Sequence, residues 1–253
     1  MPSYLSMRFP IPIPERLPTQ IEPCPIVEAA VELRFVSTES WRNLPGMLSP
    51  RLRKRYPHEI ELPLAQLPES VRQQEGSFTY QPLLQYEGAE FLIRFGPRAL
   101  SLITRTHKYP GWPRFREELT WLWEEMAAAG FVQEGERLGV RYVDFFTQDI
   151  FSLVVLDVSV DGQELEGLEQ SFTAVVPWEK STARLVLTSG AFLNDGKATR
   201  RGSILDLDVW QRLASENVFA DAAAQVERLH DVNKKLFFGL LKPDFLATLN
   251  PVY

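Results

Sequence analysis

The stretch that decides the fold lies near the N-terminus and reads PIVEAAVELRF, residues Pro25–Phe35. Apolar side chains occupy every second position from Val27 onward. The charged side chains of Glu28, Glu32 and Arg34 fall between them. Because side chains alternate between the two faces of a strand, this pattern predicts a β-strand with one buried and one wetted face. A strand of this kind is typical of an antiparallel sheet.

The residues after this strand predict a helix, a meander and a second helix. Residues 39–56 indicate an irregular helix that is interrupted by prolines. The meander strands are SFTYQPLLQY, EFLIRFG and ALSLITRT, with turns at Glu87-Gly88 and Gly96-Pro97. Residues 112–129 predict a helix that ends at Gly130. Its buried stripe is formed by Phe115, Leu119, Leu122 and Met126.

The same order of elements then begins again. RLGVRYVDFF predicts a strand, followed by a turn or short helix near 147–151. Further strands are predicted near 152–160, 170–177, 182–189 and 203–210. A long helix is predicted at about 218–241, and we expect Leu229 and Leu236 to be nearly buried in it. Pro243 and Asp244 open a short final turn.

This order predicts an α+β fold built mostly on antiparallel sheet. Residues 26–132 and 133–253 form two similar halves, each running strand, short helix, three or four strands and long helix. We expect one compact domain with both long helices on a common sheet face. The proline-rich residues 1–25 predict an N-terminal arm that packs on the body or reaches a partner. Trp112, Trp121 and Trp123 should not all be buried, since Trp121 and Trp123 point about 200° apart around a helix.

Composition excludes several classes of protein. The 253 residues carry a net charge of -6, so a general nucleic-acid binding role, which needs a basic surface, is not expected. The run Arg51, Arg53, Lys54 and Arg55 is interpreted as a solvated surface. Cys24 is the only cysteine, which excludes an intrachain disulfide. Neither a signal peptide nor a membrane span is indicated, so we expect a cytoplasmic protein with no membrane partner.

Charged residues recur on the wetted face of several predicted strands. Four arginines form the candidate anion-binding set, Arg34, Arg94, Arg141 and Arg184. Three acids form the candidate metal-binding set, Glu32, Asp206 and Asp208. We expect these side chains to form an interleaved network, because an unpaired charge on a covered sheet face is costly.

Three interpretations of this face stay open. It can be a ladder of cross-strand ion pairs, a groove that holds an anionic ligand and a metal, or a protein interface. Mg²⁺ or Mn²⁺ belongs only to the second interpretation, and no cofactor is otherwise predicted. A ligand site should leave at least two arginines without carboxylate partners inside a recess.

Searches for the usual catalytic motifs fail. No two of His58, His107 and His230 share a helical turn or strand, and Gly-x-Ser-x-Gly is absent. Gly190–Thr199 differs from a phosphate-binding loop in its spacing and lacks the final Ser or Thr, so it predicts a hairpin connection. In the last helix, His230 and Asn233 are candidates for an interface, because a buried Asn can fix the register of a helix pair. The alternative is that both are polar core residues with internal hydrogen bonds.

Four phrases together resemble a known family: PIVEAAVELRF, RLGVRYVDFF, ILDLDVW and LHDVNKKLFFGLLKP. The chain is similar from Pro25 to Pro243 to a sporadically distributed bacterial family of uncharacterised proteins. Two departures are that Asp144 stands where the family pattern has Asn, and that Phe237 with Phe238 doubles the aromatic. The resemblance implies no assigned activity and no cofactor. A patchy distribution is similar to that of accessory genes in mobile or defence loci.

Two hypotheses of function follow. The first is a non-enzymatic binding or interaction protein, which could be an accessory, antitoxin-like or defence-associated component with a protein partner or a homo-oligomeric state. The second is a metal-dependent phosphohydrolase, or an anion- or nucleotide-binding protein, that uses the charged sheet face. Glu32, Leu33 and Arg34 resemble part of the acidic-basic strand of tunnel-type triphosphatases, but Ala30 occupies the middle acidic position.

Overall fold

A computed structural model describes residues 11–105, 108–164, 168–194, 196, 198–215 and 218–253. Its strands are β1 (Ile26–Ser37), β2 (His58–Glu61), β3 (Leu84–Glu87), β4 (Phe91–Phe95), β5 (Ala99–Thr104), β6 (Val132–Phe146), β7 (Ser159–Val160), β8 (Gln163–Glu164), β9 (Ser171–Trp178), β10 (Ser181–Asn194) and β11 (Thr199–Ser215). Its α-helices are α1 (Leu44–Leu52), α2 (Glu69–Gln74), α3 (Trp112–Ala129), α4 (Ile150–Leu153), α5 (Ala222–Leu240) and α6 (Pro243–Thr248).

The described strands confirm an α+β fold on antiparallel sheet. Nine of them form one sheet in the order β2-β3-β4-β5-β1-β6-β11-β10-β9, and β7 pairs with β8. The pairs β1–β5, β3–β4, β9–β10 and β10–β11 are all antiparallel. The arrangement in two similar halves stays a prediction.

The chain divides into two compact units that interleave along the sequence. Unit 1 comprises the N-terminal segment through Val27 together with Arg141–Trp210 and Arg228–Tyr253. Unit 2 comprises Glu28–Val140 and Gln211–Glu227. Each is described by itself below.

In unit 2, the periodicities of the sequence correspond to buried faces. Ala29, Val31, Leu33 and Phe35 of β1 are at most 2% exposed, as the strand pattern predicts. Helix α3 buries the predicted stripe and ends at Gly130, whose φ of 73° is the left-handed conformation that glycine tolerates best. Trp123 is buried whereas Trp112 and Trp121 are not, which confirms the prediction for the tryptophans.

In unit 1, the long C-terminal helix and the N-terminal arm pack together. Helix α5 is continuous through His230, and Leu229 and Leu236 are 1% and 2% exposed, as predicted. A Cβ atom at Gly239 would lie 2.6 Å from the Cγ2 atom of Ile11, so glycine allows the arm to approach the helix closely. The arm also forms an antiparallel bridge between Gln20 and Val252. The described part of the arm therefore packs on its own unit.

Two predicted strands are longer than the observed ones. Residues 77–86 form a strand only from Leu84, and the Glu75 carboxylate accepts the Ser77 N–H at the start of a 3₁₀ turn. Within residues 152–160 only β7 is a strand, and residues 152–153 belong to α4, which the Asp149 carboxylate caps. The short elements β2 and α2 were not predicted. No helix of the described residues has the length and apolarity that crossing a membrane requires.

The basic run at residues 51–55 is only partly a solvated surface. Arg51 donates to the Glu125 carboxylate at 3.3 Å and to the Ala128 carbonyl at 3.1 Å, near the C-terminal end of α3. Arg55 pairs with Glu118 at 3.1 Å. All four basic residues are exposed, and Arg51 and Arg55 in addition bind carboxylates of α3.

Candidate functional site

In unit 1, the predicted charged residues lie together on the sheet face that faces away from α5. Arg141 binds Asp206 with two hydrogen bonds, Nε to Oδ1 at 2.8 Å and Nη2 to Oδ2 at 2.9 Å. Arg184 lies 3.6 Å from Asp206 Oδ2. Asp208 stands directly opposite Arg184 in the β10–β11 register. Contacts therefore join Arg141, Arg184 and Asp206, and the register places Asp208 beside Arg184, as in an ion-pair ladder.

In unit 2, a second group of predicted residues shares one face. The β-sheet register places Glu32 beside Ser101, and Ser101 beside Arg94. Glu32 accepts hydrogen bonds from Arg34 at 2.7 Å and from Arg137 at 2.9 Å, both at Oε1. Arg94 is exposed and donates to the side-chain carbonyl of Gln85 at 3.1 Å. These candidates are therefore on one face within each unit.

The geometry of the charged residues favours the ladder over a ligand recess. The side chains of Arg34, Arg141 and Arg184 are 32–43% exposed, and each has a carboxylate partner. Within the part of the chain that the structure describes, no three His, Cys, Asp or Glu side chains form a group that could hold a metal. Glu32 belongs to unit 2 and the two aspartates to unit 1. The proposed anion and metal sites stay predictions without an enclosing recess to support them.

The predicted interface residues of α5 lie in the core of unit 1. The Tyr142 hydroxyl and His230 Nδ1 are hydrogen-bonded at 2.9 Å, and Asn233 Nδ2 donates to the Leu207 carbonyl at 3.0 Å. Asn233 is 2% exposed and His230 8% exposed. Burial, and then the ammonium group of Lys234, lowers the pKa of His230 to about 3. Both residues have internal hydrogen bonds, so the sequence alternative of polar core residues describes their positions.

One carboxyl group in unit 1 is buried without a hydrogen-bond partner among the described residues. Asp144 is 1% exposed, and neither of its oxygens has a hydrogen bond. It lies on β6 two residues after Tyr142, on the face opposite Arg141. Burial, and then repulsion from Asp206, raises the pKa of Asp144 well above its usual value. The environment of Asp144 therefore favours the protonated carboxylic acid.

Two clefts hold polar residues that the sequence did not single out. In unit 2 a cleft of about 360 Å³ contains the buried Glu118, which accepts hydrogen bonds from Tyr56 and Arg55, both at 3.1 Å. Burial, and then the Glu118 charge, raises the pKa of Tyr56. In unit 1 a cleft of about 320 Å³ contains Glu169 and Arg201, which pair at 2.7 Å. In both clefts these charged groups bind each other.

Strand β9 lies at one end of the strand order of the sheet. β10 is its neighbour in the sheet. The Ser189 N–H donates to the Gln170 carbonyl at 2.9 Å, just before β9 begins. Since hydrogen bonding alternates along an antiparallel ladder, the backbone groups of Ser171, Thr173 and Val175 point away from β10.

The side chains on this strand are unlike those of the other edge. All eight residues of β9 are uncharged, and Val175 is 62% exposed. The opposite edge strand, β2, has only four residues, and Glu59 and Glu61 are two of them. Natural edge strands are commonly short or charged, which prevents pairing with other chains. The sequence predicted β9 as a strand but could not identify it as an edge, because strand order depends on long-range pairing.

Comparison with protein-family models gives no match for this chain. Comparison with curated proteins also gives none. The function proposed next therefore rests on the geometry of the chain itself.

Proposed function

We propose that this chain is a non-enzymatic binding protein that recognises another polypeptide along strand β9. The observation that carries the proposal is an uncharged, eight-residue strand at the end of the sheet order, whose neighbour among the described strands is β10. Such an edge can accept an added strand through main-chain hydrogen bonds. The exposed Val175 side chain adds an apolar contact beside them.

The polar residues of the chain support a binding role over a catalytic one. A general acid or base must reach a substrate, and its pKa should lie near the working pH. His230 is buried, is hydrogen-bonded to Tyr142 and has a pKa lowered to about 3. The arginines of the charged face already bind Glu32 and Asp206. These groups hold the fold together and are poorly placed to act on a substrate.

A single substitution can test the outward hydrogen bonds of β9 without changing the β9–β10 ladder. Thr173→Pro removes an N–H that points away from β10, so the β9–β10 ladder should stay intact. Thr173→Val keeps that N–H and is the matched control. Proteins captured from a lysate of the native host should be retained by Thr173→Val and lost with Thr173→Pro.

The proposal is overturned if the purified chain neither self-associates nor captures any protein in a manner that Thr173→Pro abolishes. Unfolding curves of both variants check that β9 remains folded. The competing hypothesis of an anion- or metal-dependent protein makes a different prediction. A ligand at about 100 times its Kd would stabilise the fold by about 2.7 kcal/mol, which a thermal-shift screen with Mg²⁺, Mn²⁺ and nucleoside triphosphates would detect.

A further inference from the structure

We infer that the polypeptide bound by β9 is a second copy of this chain, paired antiparallel about a two-fold axis at Thr173. This inference rests on the proposed function, because it names the partner of the same edge. The proposed arrangement joins two copies through identical surfaces, which is the commonest symmetry of soluble oligomers.

The first reason is that β9 is self-complementary. In an antiparallel pair about a two-fold axis, every residue must be compatible with the same strand running the other way. A charged residue near the axis would face a like charge, which is destabilising. β9 has no charged residue from Ser171 to Trp178. Thr173 would face Thr173 of the other copy, and cross-strand threonine pairs are favourable.

The second reason is that the hydrogen-bonding groups match in number and position. With the axis at Thr173, Ser171 of each copy stands opposite Val175 of the other. The three residues whose N–H groups point outward then pair only with one another. Pro177 has no N–H and falls outside this set, so it ends the pairing. A register centred on Ala174 would place Pro177 opposite Ser171 and leave that pair without one of its donors.

The third reason is the exposure of the strand. Ser171, Thr173, Val175 and Pro177 are all exposed, and the strand that pairs with β9 among the described residues is β10, on its other edge. In the proposed dimer the two copies of Val175 lie at opposite ends of the paired region, and both would become less exposed to solvent. Removal of this apolar area from water favours association.

The molar mass in solution tests directly whether the partner of β9 is a second copy of the chain. Light scattering at up to about 100 μM should give twice the 29.0 kDa of one chain, since an interface of micromolar Kd is populated at that concentration. Thr173→Pro should raise the dimer Kd at least about tenfold, because it removes both hydrogen bonds at the axis. Thr173→Val keeps both N–H groups and should change the Kd by less than about fivefold, because it alters only the side-chain pair at the axis.

A cysteine at the axis tests the register. In a Cys24→Ser background, Thr173→Cys should form a disulfide-linked dimer under mild oxidation, since Cα atoms in a hydrogen-bonded pair lie about 5.5 Å apart, within disulfide range. Ile60→Cys on β2 is the control and should stay monomeric when both proteins are compared under denaturing, non-reducing conditions. A wild-type chain that is monomeric throughout the concentration range overturns the second copy. Capture of a different protein that Thr173→Pro abolishes would also overturn it, while leaving the proposed binding function in place. A dimer that forms the linked species at Ala174→Cys and not at Thr173→Cys overturns the register.

Discussion

The two faces of the sheet in unit 1 hold polar side chains under opposite conditions. On the open face, Arg141, Arg184 and Asp206 bind one another, and the two arginine side chains are 40% and 43% exposed. On the side that α5 covers, His230 of the helix and Asp144 of β6 are almost completely buried. Exposed ion pairs typically contribute at most about 1 kcal/mol, whereas a buried polar group without a partner costs about 1–3 kcal/mol. Stability should therefore depend far more on the covered face.

The covered side also contains two titratable groups that change the free energy of unfolding in opposite directions as the pH rises. His230 has a lowered pKa, so its contribution to stability is present above pH 6.5 and is lost as the pH falls towards about 3. Asp144 has a raised pKa, so its ionisation in the unfolded chain reduces stability as the pH rises above 3.8. Between these two values the effects oppose each other in the wild-type protein. Single substitutions should separate them.

The largest effect is expected at His230. His230→Gln keeps a polar group beside Tyr142 but cannot be protonated. The wild-type protein should lose about 1.4 kcal/mol of unfolding free energy per pH unit below 6.5 relative to this variant, because only the unfolded histidine takes up a proton. Urea unfolding at intervals between pH 7 and pH 4.5 measures the difference. Parallel curves for the two proteins would show that His230 is not held in its neutral form.

The second effect is expected at Asp144. Asp144→Asn preserves the shape of the side chain and removes its ability to ionise. The variant should gain about 1.4 kcal/mol per pH unit relative to wild type as the pH rises from 3.8 towards the raised pKa of Asp144. At neutral pH the net gain should be smaller than this slope alone gives, because the buried amide of the variant is also a polar group without a partner, which costs about 1–3 kcal/mol.

The same urea series, extended down to pH 3, measures the difference at Asp144. Ser159 on β7 offers a control substitution to Ala away from both groups. A gain that does not change with pH would mean that Asp144 is ionised in the folded protein and has a charged partner.

The smallest effect is expected on the open face. Arg184→Gln should cost less than about 1 kcal/mol, because the Arg184–Asp206 contact is long and partly exposed. Arg141→Gln should cost more than Arg184→Gln, but less than about 2 kcal/mol, since it removes two hydrogen bonds to an aspartate. Thermal unfolding in low salt and in about 1 M NaCl gives both values, and high salt should shrink them. A cost at Arg184 that equals the effects at His230 or Asp144 would contradict the comparison of the two faces.

Much of the fold could be predicted from local patterns. The alternation in β1 and the stripes of α3 and α5 correctly identify the buried residues, because the geometry of each element repeats every 2 or 3.6 residues. The predictions fail where a side chain captures a nearby backbone N–H. Glu75 and Asp149 both do so, and each replaces part of a predicted strand with a helical turn.

The candidate site was less predictable than the fold. The sequence groups Arg184 with Asp206 correctly on one face, since alternation fixes the face of each strand. For Asn233 the sequence leaves two positions open, a helix–helix interface and a hydrogen-bonded core position. In the structure its side chain donates to the Leu207 carbonyl within the core. The sequence also treats the basic run as a surface, although Arg55 reaches Glu118 of α3. Each of these partners is distant in the sequence, so no local pattern reports it.

The sequence by itself determined which face of each main strand and helix is apolar, because side-chain direction follows from backbone periodicity within a few residues. Only the tertiary structure decided that β9 is an uncharged edge, that Asp144 is buried without a hydrogen-bond partner among the described residues, and that the arginines of the open face bind carboxylates. The physical reason is that these properties depend on the order in which distant strands pair and on what covers each face. Strand order and coverage are set by contacts between residues far apart in the chain, and they determine which groups remain available to bind.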